Sequence, residues 1–600
     1  MHSIGPEWRE EIDDSTKTQY PAGQDRRADE QGPQRDQKRA DRPLARHVDE
    51  FGRCVEETVH QLREKRGHAT TSQPGHLDAW PGHSRPGVSR RERDSLSREC
   101  RQPTGSMAFE KQSGVFLHVS SLPGPDGIGT LGAPAETFVD FLATAEQSLW
   151  QTCPIGPTDP DVGNSPYSAY SARAGNPLFI DLDALVDRGW LADLDRPGFD
   201  EREVEYDRVD AFKQEALRDA FAGFEADAEP AAKTDFETYC GEAGDWLEEY
   251  ALFRALNDHF DGEWVEWPAE AKHRDPDALD RYREELAEEI RFRKFLQWVF
   301  ETQWQALRSY ADDRGVSLVG DMPIYVGTNS ADVWANPELF KLDEDLEPAY
   351  VAGVPPDEFS ETGQLWGMPV YDWAAHAEDE YEWWLQRFEG LLDRFDVFRI
   401  DHFKGFESFY QIPADHDTAV DGEWVTGPGE ALFQTVEAEL GELPIIVEDL
   451  GHITEETRAL RDAFEFPGMS VAAMADWCDP SQGHHPASYT ENTVAYASTH
   501  DTDTVPGWYA SLSDAQRECL HDVVDGNSDD PHWNIVETIW ASEAVLTLVQ
   551  CQDLLGLGTA HRFNFPGTAE GNWEWRVLPS ELTDDVAERL AAVSRRTDRA

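Results

Sequence analysis

Four apolar stretches of this sequence close on ionisable side chains: Asp321 in LVGDMPIYV, Asp401 in FRIDHFKGF, Glu448 in IIVEDLG, and the pair His500 and Asp501 in ASTHDTDT. A single acid after a strand is ordinarily a helix cap or a solvated loop residue. Four such ends in one chain suggest carboxylates brought together. Their chemistry would be that of the glycosidic bond, where one carboxylate attacks the anomeric carbon and a second, protonated group assists the leaving oxygen. Arg399 supports this reading. Two residues before Asp401 on a strand, it faces the same side, where its guanidinium can hold that carboxylate ionised and aimed; taken alone, the stretch also reads as a plain buried ion pair. None of these acids stands at metal-ligand spacing, and no metal or other cofactor is expected.

Elements that could position such residues recur along the chain. Strands are predicted at Val115 to Val119, Leu149 to Ile155, Ser317 to Met322, Val397 to His402, Pro444 to Asp449, Met469 to Met474, Val494 to Thr499 and, most weakly, Arg562 to Phe565. Helical periodicity fills the gaps, for example at Ala135 to Ala145, Phe295 to Arg314, Glu380 to Arg394 and Glu455 to Phe464. Strands alternating with helices predict an α/β fold, a TIM (β/α)8 barrel with large, mostly helical insertions in its βα loops. Reactive groups then belong at the C-terminal ends of the strands. Residues 183–291 read as an inserted helical subdomain walling the cleft, within a catalytic barrel spanning 107–600.

Composition divides the chain at a different point. The formal net charge is −66, yet the first 106 residues hold 19 basic and 19 acidic residues, so the whole excess lies after Ser106. Residues 1–106 are rich in Arg, Gln, Gly and Pro with little apolar periodicity, which predicts disorder. A start at Met107 with a translated upstream region fits this pattern, and so does a genuine flexible extension. An acidic body of this kind repels itself unless salt shortens the Debye length from about 10 Å at 0.1 M to about 3 Å at 1 M, which points to a halophilic protein. Nucleic acid is excluded as a partner for want of a basic face. Cys54, Cys100, Cys153, Cys240, Cys478, Cys519 and Cys551 show no CxxC or paired spacing, the pattern of reduced thiols in a cytoplasmic protein. No apolar run of membrane-spanning length occurs.

Longer motifs narrow the reading. GVFLHVSSLPGPDGIGTLG, NSPYSAYSARAGNPLFIDL, VGDMPIYVGTNSADVWANPELF, AGVPPDEFSETGQLWGMPVYDW, FRIDHFKGF, VEDLGHIT, STHDTDTVPGW and RFNFPGTAEGNWEWR run in order from Gly114 to Arg576. The chain in these stretches resembles the 4-alpha-glucanotransferases of the amylomaltase, or disproportionating enzyme, type (glycoside hydrolase family 77), relatives of the alpha-amylases. The resemblance implies that Asp401 is the nucleophile, Glu448 the general acid/base and Asp501 the third carboxylate, which binds sugar hydroxyls and stabilises the distorted ring. It also implies that Arg399 positions the nucleophile, that Tyr167, Asp321 and His500 line the subsite of the transferred sugar, that Phe359 and Trp366 stack on the acceptor side, and that Asn564 belongs to the terminal motif. Its implied partners are alpha-1,4-glucans (maltodextrins) and a glucose acceptor, with neither nucleic acid nor membrane. Asn164, Glu358, Thr502 and Phe563 depart from the family pattern, Glu358 by removing one stacking ring.

Two alternatives stay open at this level. An alpha-1,4-glucan hydrolase would use the same three carboxylates to deliver water, although only about 24 residues follow Arg576, too few for the C-terminal β-domain usual in alpha-amylases. A non-catalytic glucan-binding protein would not need Glu448. The charge distribution itself generates a test: the folded circular-dichroism signal is expected to strengthen from low to molar KCl, and a maximum at low salt contradicts a halophilic surface.

Overall fold

The structure, a computed structural model, describes residues 109–260, 262–356, 360–524, 530–568 and 571–600. The segment predicted to be disordered, 1–106, lies outside the described residues. Twelve strands follow one another: β1 (Gln112–Phe116), β2 (Leu149–Gln151), β3 (Ser317–Met322), β4 (Tyr350–Val354), β5 (Gln364–Pro369), β6 (Val397–Ile400), β7 (Ser408–Pro413), β8 (Glu423–Thr426), β9 (Ile445–Val447), β10 (Gly468–Val471), β11 (Thr493–Tyr496) and β12 (Leu546–Gln550). Eight of them close a parallel barrel in the order β1-β12-β11-β10-β9-β6-β3-β2, and the other four form a sheet ordered β5-β4-β7-β8. The expected TIM barrel is therefore the fold.

Strand alternation explains both the barrel's filling and its chemistry. Leu149, Val319, Val397, Ile446, Met469, Val471, Val494, Tyr496, Leu546 and Leu548 form one buried cluster on the inward-facing positions. The intervening residues, such as Phe398, Ile400, Ile445 and Val447, belong to the outer core beneath the helices. Because side chains repeat every second residue, the inward series runs on from Val319 to Asp321, from Val397 through Arg399 to Asp401, and from Ile446 to Glu448. At the inward position Gly114 a Cβ would lie 2.3 Å from the Leu149 carbonyl oxygen, so β1 can approach β2 only without a side chain there.

Amphipathic helices cover the barrel. Ala133–Thr144, Glu382–Arg394 and Glu455–Ala463 match the predicted periodicity to within two residues, and Thr454 caps the last by accepting the Thr457 N–H. Between β2 and β3 the chain makes helices Asp183–Asp187, Tyr206–Asp227, Pro230–Ala243, Asp245–Phe260, Ala269–Lys272 and Pro276–Glu285. The next helix, Ala287–Asp312, crosses residue 291 without a break and feeds β3.

Three expectations need correction. Arg562 to Phe565 is not a strand; the eighth barrel strand is β12, LTLVQ, whose five residues are all buried. A strand buried on both faces has no polar alternation to reveal it. The antiparallel sheet β5-β4-β7-β8, inserted around β6, also had no predicted counterpart. Finally, Cys478 and Cys519 are joined in a disulfide across 41 residues of sequence, while Cys153, Cys240 and Cys551 are free. Tertiary folding brings the loop after β10 to helix Asp514–Val523, a proximity that sequence spacing could not give.

Closing a loop of 41 residues restricts the unfolded chain, an effect of roughly 4 kcal/mol by chain-entropy reasoning. A peptide map without reductant is expected to contain the linked Cys478–Cys519 peptides, and reduction is expected to lower Tm. Two free thiols and an unchanged Tm would contradict this bridge.

Candidate active site

The inward positions at the C-terminal ends of β3, β6 and β9 converge on one guanidinium. Arg399 and Asp321 are register partners on neighbouring strands. Arg399 Nη1 donates to both Asp321 oxygens at 2.8 Å, while its Nη2 lies 2.8 Å from Asp401 Oδ1. The arginine and Asp321 are fully enclosed, whereas the Asp401 side chain keeps 28% of its surface open. Burial alone would lower the Arg399 pKa, but the two carboxylates raise it well above its ordinary value. The buried ion pair and the aimed carboxylate, two readings of the sequence, are both present in one bridge.

Glu448 follows β9 directly, as Asp401 follows β6. Ile400 pairs in register with Val447, so the two acids occupy the next level of adjacent strands. The Glu448 N–H donates to the Ile400 carbonyl at 2.9 Å, and the Phe403 N–H returns a bond to the Glu448 carbonyl at 3.1 Å. Its carboxylate accepts the His402 N–H at Oε2 (2.8 Å) and the Leu450 N–H at Oε1 (2.7 Å). His402 has φ 53°, the left-handed conformation that non-glycine residues rarely adopt, immediately after Asp401. Burial first, and then the negative charge of Asp401, push the Glu448 carboxyl up to about 7. Asp501 is not among the leading causes.

The third carboxylate has the opposite environment. Asp501 Oδ1 accepts from Asn564 Nδ2 at 2.7 Å, and Oδ2 lies 3.2 Å from His500 Nε2. Burial would raise its pKa, but the His500 charge and these hydrogen bonds hold it well below the usual carboxylate range. Burial would likewise lower the His500 pKa, and the Asp501 charge overrides it. Tyr167 links the two halves. Its hydroxyl donates to Asp321 Oδ2 at 2.8 Å, leaving its lone pairs to accept the His500 Nε2–H at 2.9 Å, and its ring stacks on His500 with centroids 5.3 Å apart. A continuous polar chain thus runs Asp401, Arg399, Asp321, Tyr167, His500, Asp501, Asn564.

Trp366, on β5 of the antiparallel sheet, meets His402 edge-to-face at 4.8 Å and stays half-buried beside the loop that follows Asp401. Phe359 lies outside the described residues. The corrected Arg562 to Phe565 segment still serves the site as a loop: the Arg562 guanidinium donates to the Asp501 carbonyl at 3.0 Å, and Asn564 holds the Asp501 carboxylate. Sequence reasoning missed two contacts. Met469 Sδ accepts from Arg399 Nε at 3.3 Å, and Phe116 stacks on His500 at 5.6 Å; both occupy inward positions that strand parity predicts once the barrel register is known. Among the described residues no group of three His, Cys, Asp or Glu side chains is placed to hold a metal ion, and no helix is long and apolar enough to cross a membrane.

This arrangement offers an arginine-held carboxylate beside one that keeps its proton to near neutrality, with a third that stays charged. The sequence profile described as 4-alpha-glucanotransferase matches residues 117–582. The chain belongs to the 4-alpha-glucanotransferase family. Curated 4-alpha-glucanotransferases share this similarity over nearly their whole length: that of Synechocystis sp. is 44% identical over 496 residues, 81% of this chain and 98% of the relative. That of Thermus thermophilus is 42% identical over 502 residues, 82% of this chain and 100% of the relative. Among solved structures, the Streptococcus agalactiae amylomaltase in complex with acarbose superposes with a TM-score of 0.79 at 38% identity, covering 82% of this chain and all of that one.

Within this 4-alpha-glucanotransferase the protonation of Glu448 is directly measurable. The difference infrared spectrum of wild type minus Glu448→Gln is expected to lose a protonated-carboxyl band with a midpoint near pH 7. A midpoint in the ordinary range of about 4 to 5 would contradict the burial and charge argument.

Proposed function

We propose that the chain transfers alpha-1,4-glucan segments from a maltodextrin donor to the 4-hydroxyl of an acceptor glucan or glucose by retaining double displacement. Asp401 attacks the anomeric carbon, and Glu448 gives its proton to the departing 4-oxygen, which leaves a covalent glycosyl–Asp401 intermediate. An acceptor 4-hydroxyl then loses its proton to Glu448 while its oxygen attacks the same carbon and releases Asp401. The observation that carries this reading is the contrast between neighbours: Glu448 is pushed up to about 7, while Asp401 is tied to Arg399. An acid that still holds its proton near neutrality, next to a carboxylate paired with arginine, is what general acid catalysis of this bond needs.

The other residues take supporting roles in this proposal. Asp501, held ionised by His500 and Asn564, binds ring hydroxyls and stabilises the distorted sugar. Tyr167, Asp321 and His500 line the subsite of the transferred sugar, and Trp366, with Phe359, offers an apolar face that favours an acceptor sugar over water. The relative from S. agalactiae was solved in complex with acarbose, a precedent for such a ligand here. Residues 107–600 are the catalytic unit in this reading, and 183–291 its helical wall. The acid excess, 118 acidic against 52 basic residues, supports work at molar salt.

Incubation with maltotriose in molar KCl is expected to yield glucose and a ladder of longer maltodextrins; maltose and glucose with no longer product would favour hydrolysis. Asp401→Asn is expected to abolish turnover while sparing glucan binding, and Glu448→Gln to reduce turnover by about 10²- to 10⁴-fold. With the acid role on Glu448, kcat falls as pH rises above about 7, since its proton is then lost; a rate still rising through pH 9 would contradict that role.

A further inference from the structure

His500 and Asp501 lie in the segment 498–505, between β11 and the helix Val505–Ser511. One side chain that the mechanism does not use touches both ends of it. Asp553, just beyond β12, has no exposed surface and no ion-pair partner among the described residues. Its Oδ2 accepts the Ser498 hydroxyl, and its Oδ1 accepts the Val505 N–H at 2.7 Å. Gln550, the last inward position of β12, adds to the same anchor by donating Nε2–H bonds to Ser498 Oγ at 2.6 Å and to the Thr499 carbonyl at 2.8 Å.

A buried carboxylate without a cation is costly, and burial pushes Asp553 up to about 7 against these two hydrogen bonds. The hydrogen-bond inventory accounts for its presence. Ser498 Oγ accepts from Gln550 and offers its own proton to Asp553, and the Val505 N–H also offers a proton. Two donors at opposite ends of the loop are met by a side chain with two acceptor oxygens; an amide in the same shape has only one, and would leave the Ser498 hydroxyl proton or the Val505 N–H without its acceptor.

We propose that Asp553 is a positioning residue: it ties Ser498 to Val505 and so holds the intervening loop in the bend that presents His500 to Tyr167 and Asp501 to the cleft. The inference rests on the reading of Asp501 as the ring-binding carboxylate. Asp553 acts entirely through that loop and touches no substrate.

A double-mutant cycle with Asp553→Asn and Asp501→Asn tests it, read as kcat and KM for maltotriose transfer and as acarbose affinity by calorimetry. Asp553→Asn is expected to lower kcat about 10- to 100-fold, the scale of a small misplacement of a reacting geometry, and to weaken acarbose, with Tm within a few degrees of wild type. In the Asp501→Asn background it should cost little more, because both changes act on one element. Full additivity, or wild-type kcat for Asp553→Asn beside an impaired Asp501→Asn, would overturn the positioning role alone. Wild-type kcat for Asp501→Asn would sink the reading of Asp501 and this inference with it. Should Asp553→Asn fail to fold, Ser498→Ala removes one arm of the tie and leaves the Val505 N–H bonded; a several-fold fall in kcat supports the proposal and an unchanged kcat overturns it.

Discussion

The site depends on one buried cation shared by two carboxylates. Arg399 is enclosed between Asp321 and Asp401, each 2.8 Å from one of its terminal nitrogens. A guanidinium taken out of water needs such partners, since an unpaired buried charge costs several kcal/mol. Its planar fork also fixes direction, which a lysine ammonium cannot do. One charge thereby keeps the fully buried Asp321 from standing as an orphan, aims Asp401 into the cleft, and through Tyr167 joins both to the His500 and Asp501 pair. Loss of Arg399 would leave the buried Asp321 and the partly open Asp401 crowded together without their shared cation.

The three carboxylates differ by environment rather than by type. Glu448 gains its proton affinity from burial and from Asp401, with the Arg399 charge and the Leu450 N–H working against the shift. Asp501 sits just as close to the cleft but has a histidine and an asparagine on its oxygens, and remains ionised. In the proposed mechanism, acid, nucleophile and ring-binding charge would therefore coexist within one cleft near neutral pH, which is the division of labour a glycosyl transfer asks of its carboxylates.

The barrel strands that carry chemistry were legible in the sequence because an inward apolar position two residues before an ionisable one, as in Val319 and Asp321 or Ile446 and Glu448, is a period-two signal ending abruptly. Asp401, Glu448, Asp501, Arg399, Tyr167, Asp321, His500 and Asn564 are joined by the hydrogen bonds and strand register of one site, although their catalytic and binding roles remain those of the proposal. What the sequence concealed was buried on all sides or assembled from afar. β12 carries no polar alternation, so its place was given to Arg562 to Phe565, which is a loop. Trp366 lies on an antiparallel sheet whose four strands are split by β6 in the chain. The Cys478–Cys519 bridge joins residues 41 positions apart and the Asp553 tie residues 48 and 55 positions apart, and no sequence spacing marks either pairing.

Substitution of Arg399 by lysine is the most direct measurement of the account, because it keeps the charge and removes the fork that links Asp321 to Asp401. The prediction is a folded protein in which kcat for maltotriose transfer falls about 10²-fold or more, the scale of losing preorganised alignment, while glucan affinity changes little. A folded Arg399→Lys enzyme with the wild-type kcat would show that the bidentate bridge does not hold the nucleophile, and the central claim would fail.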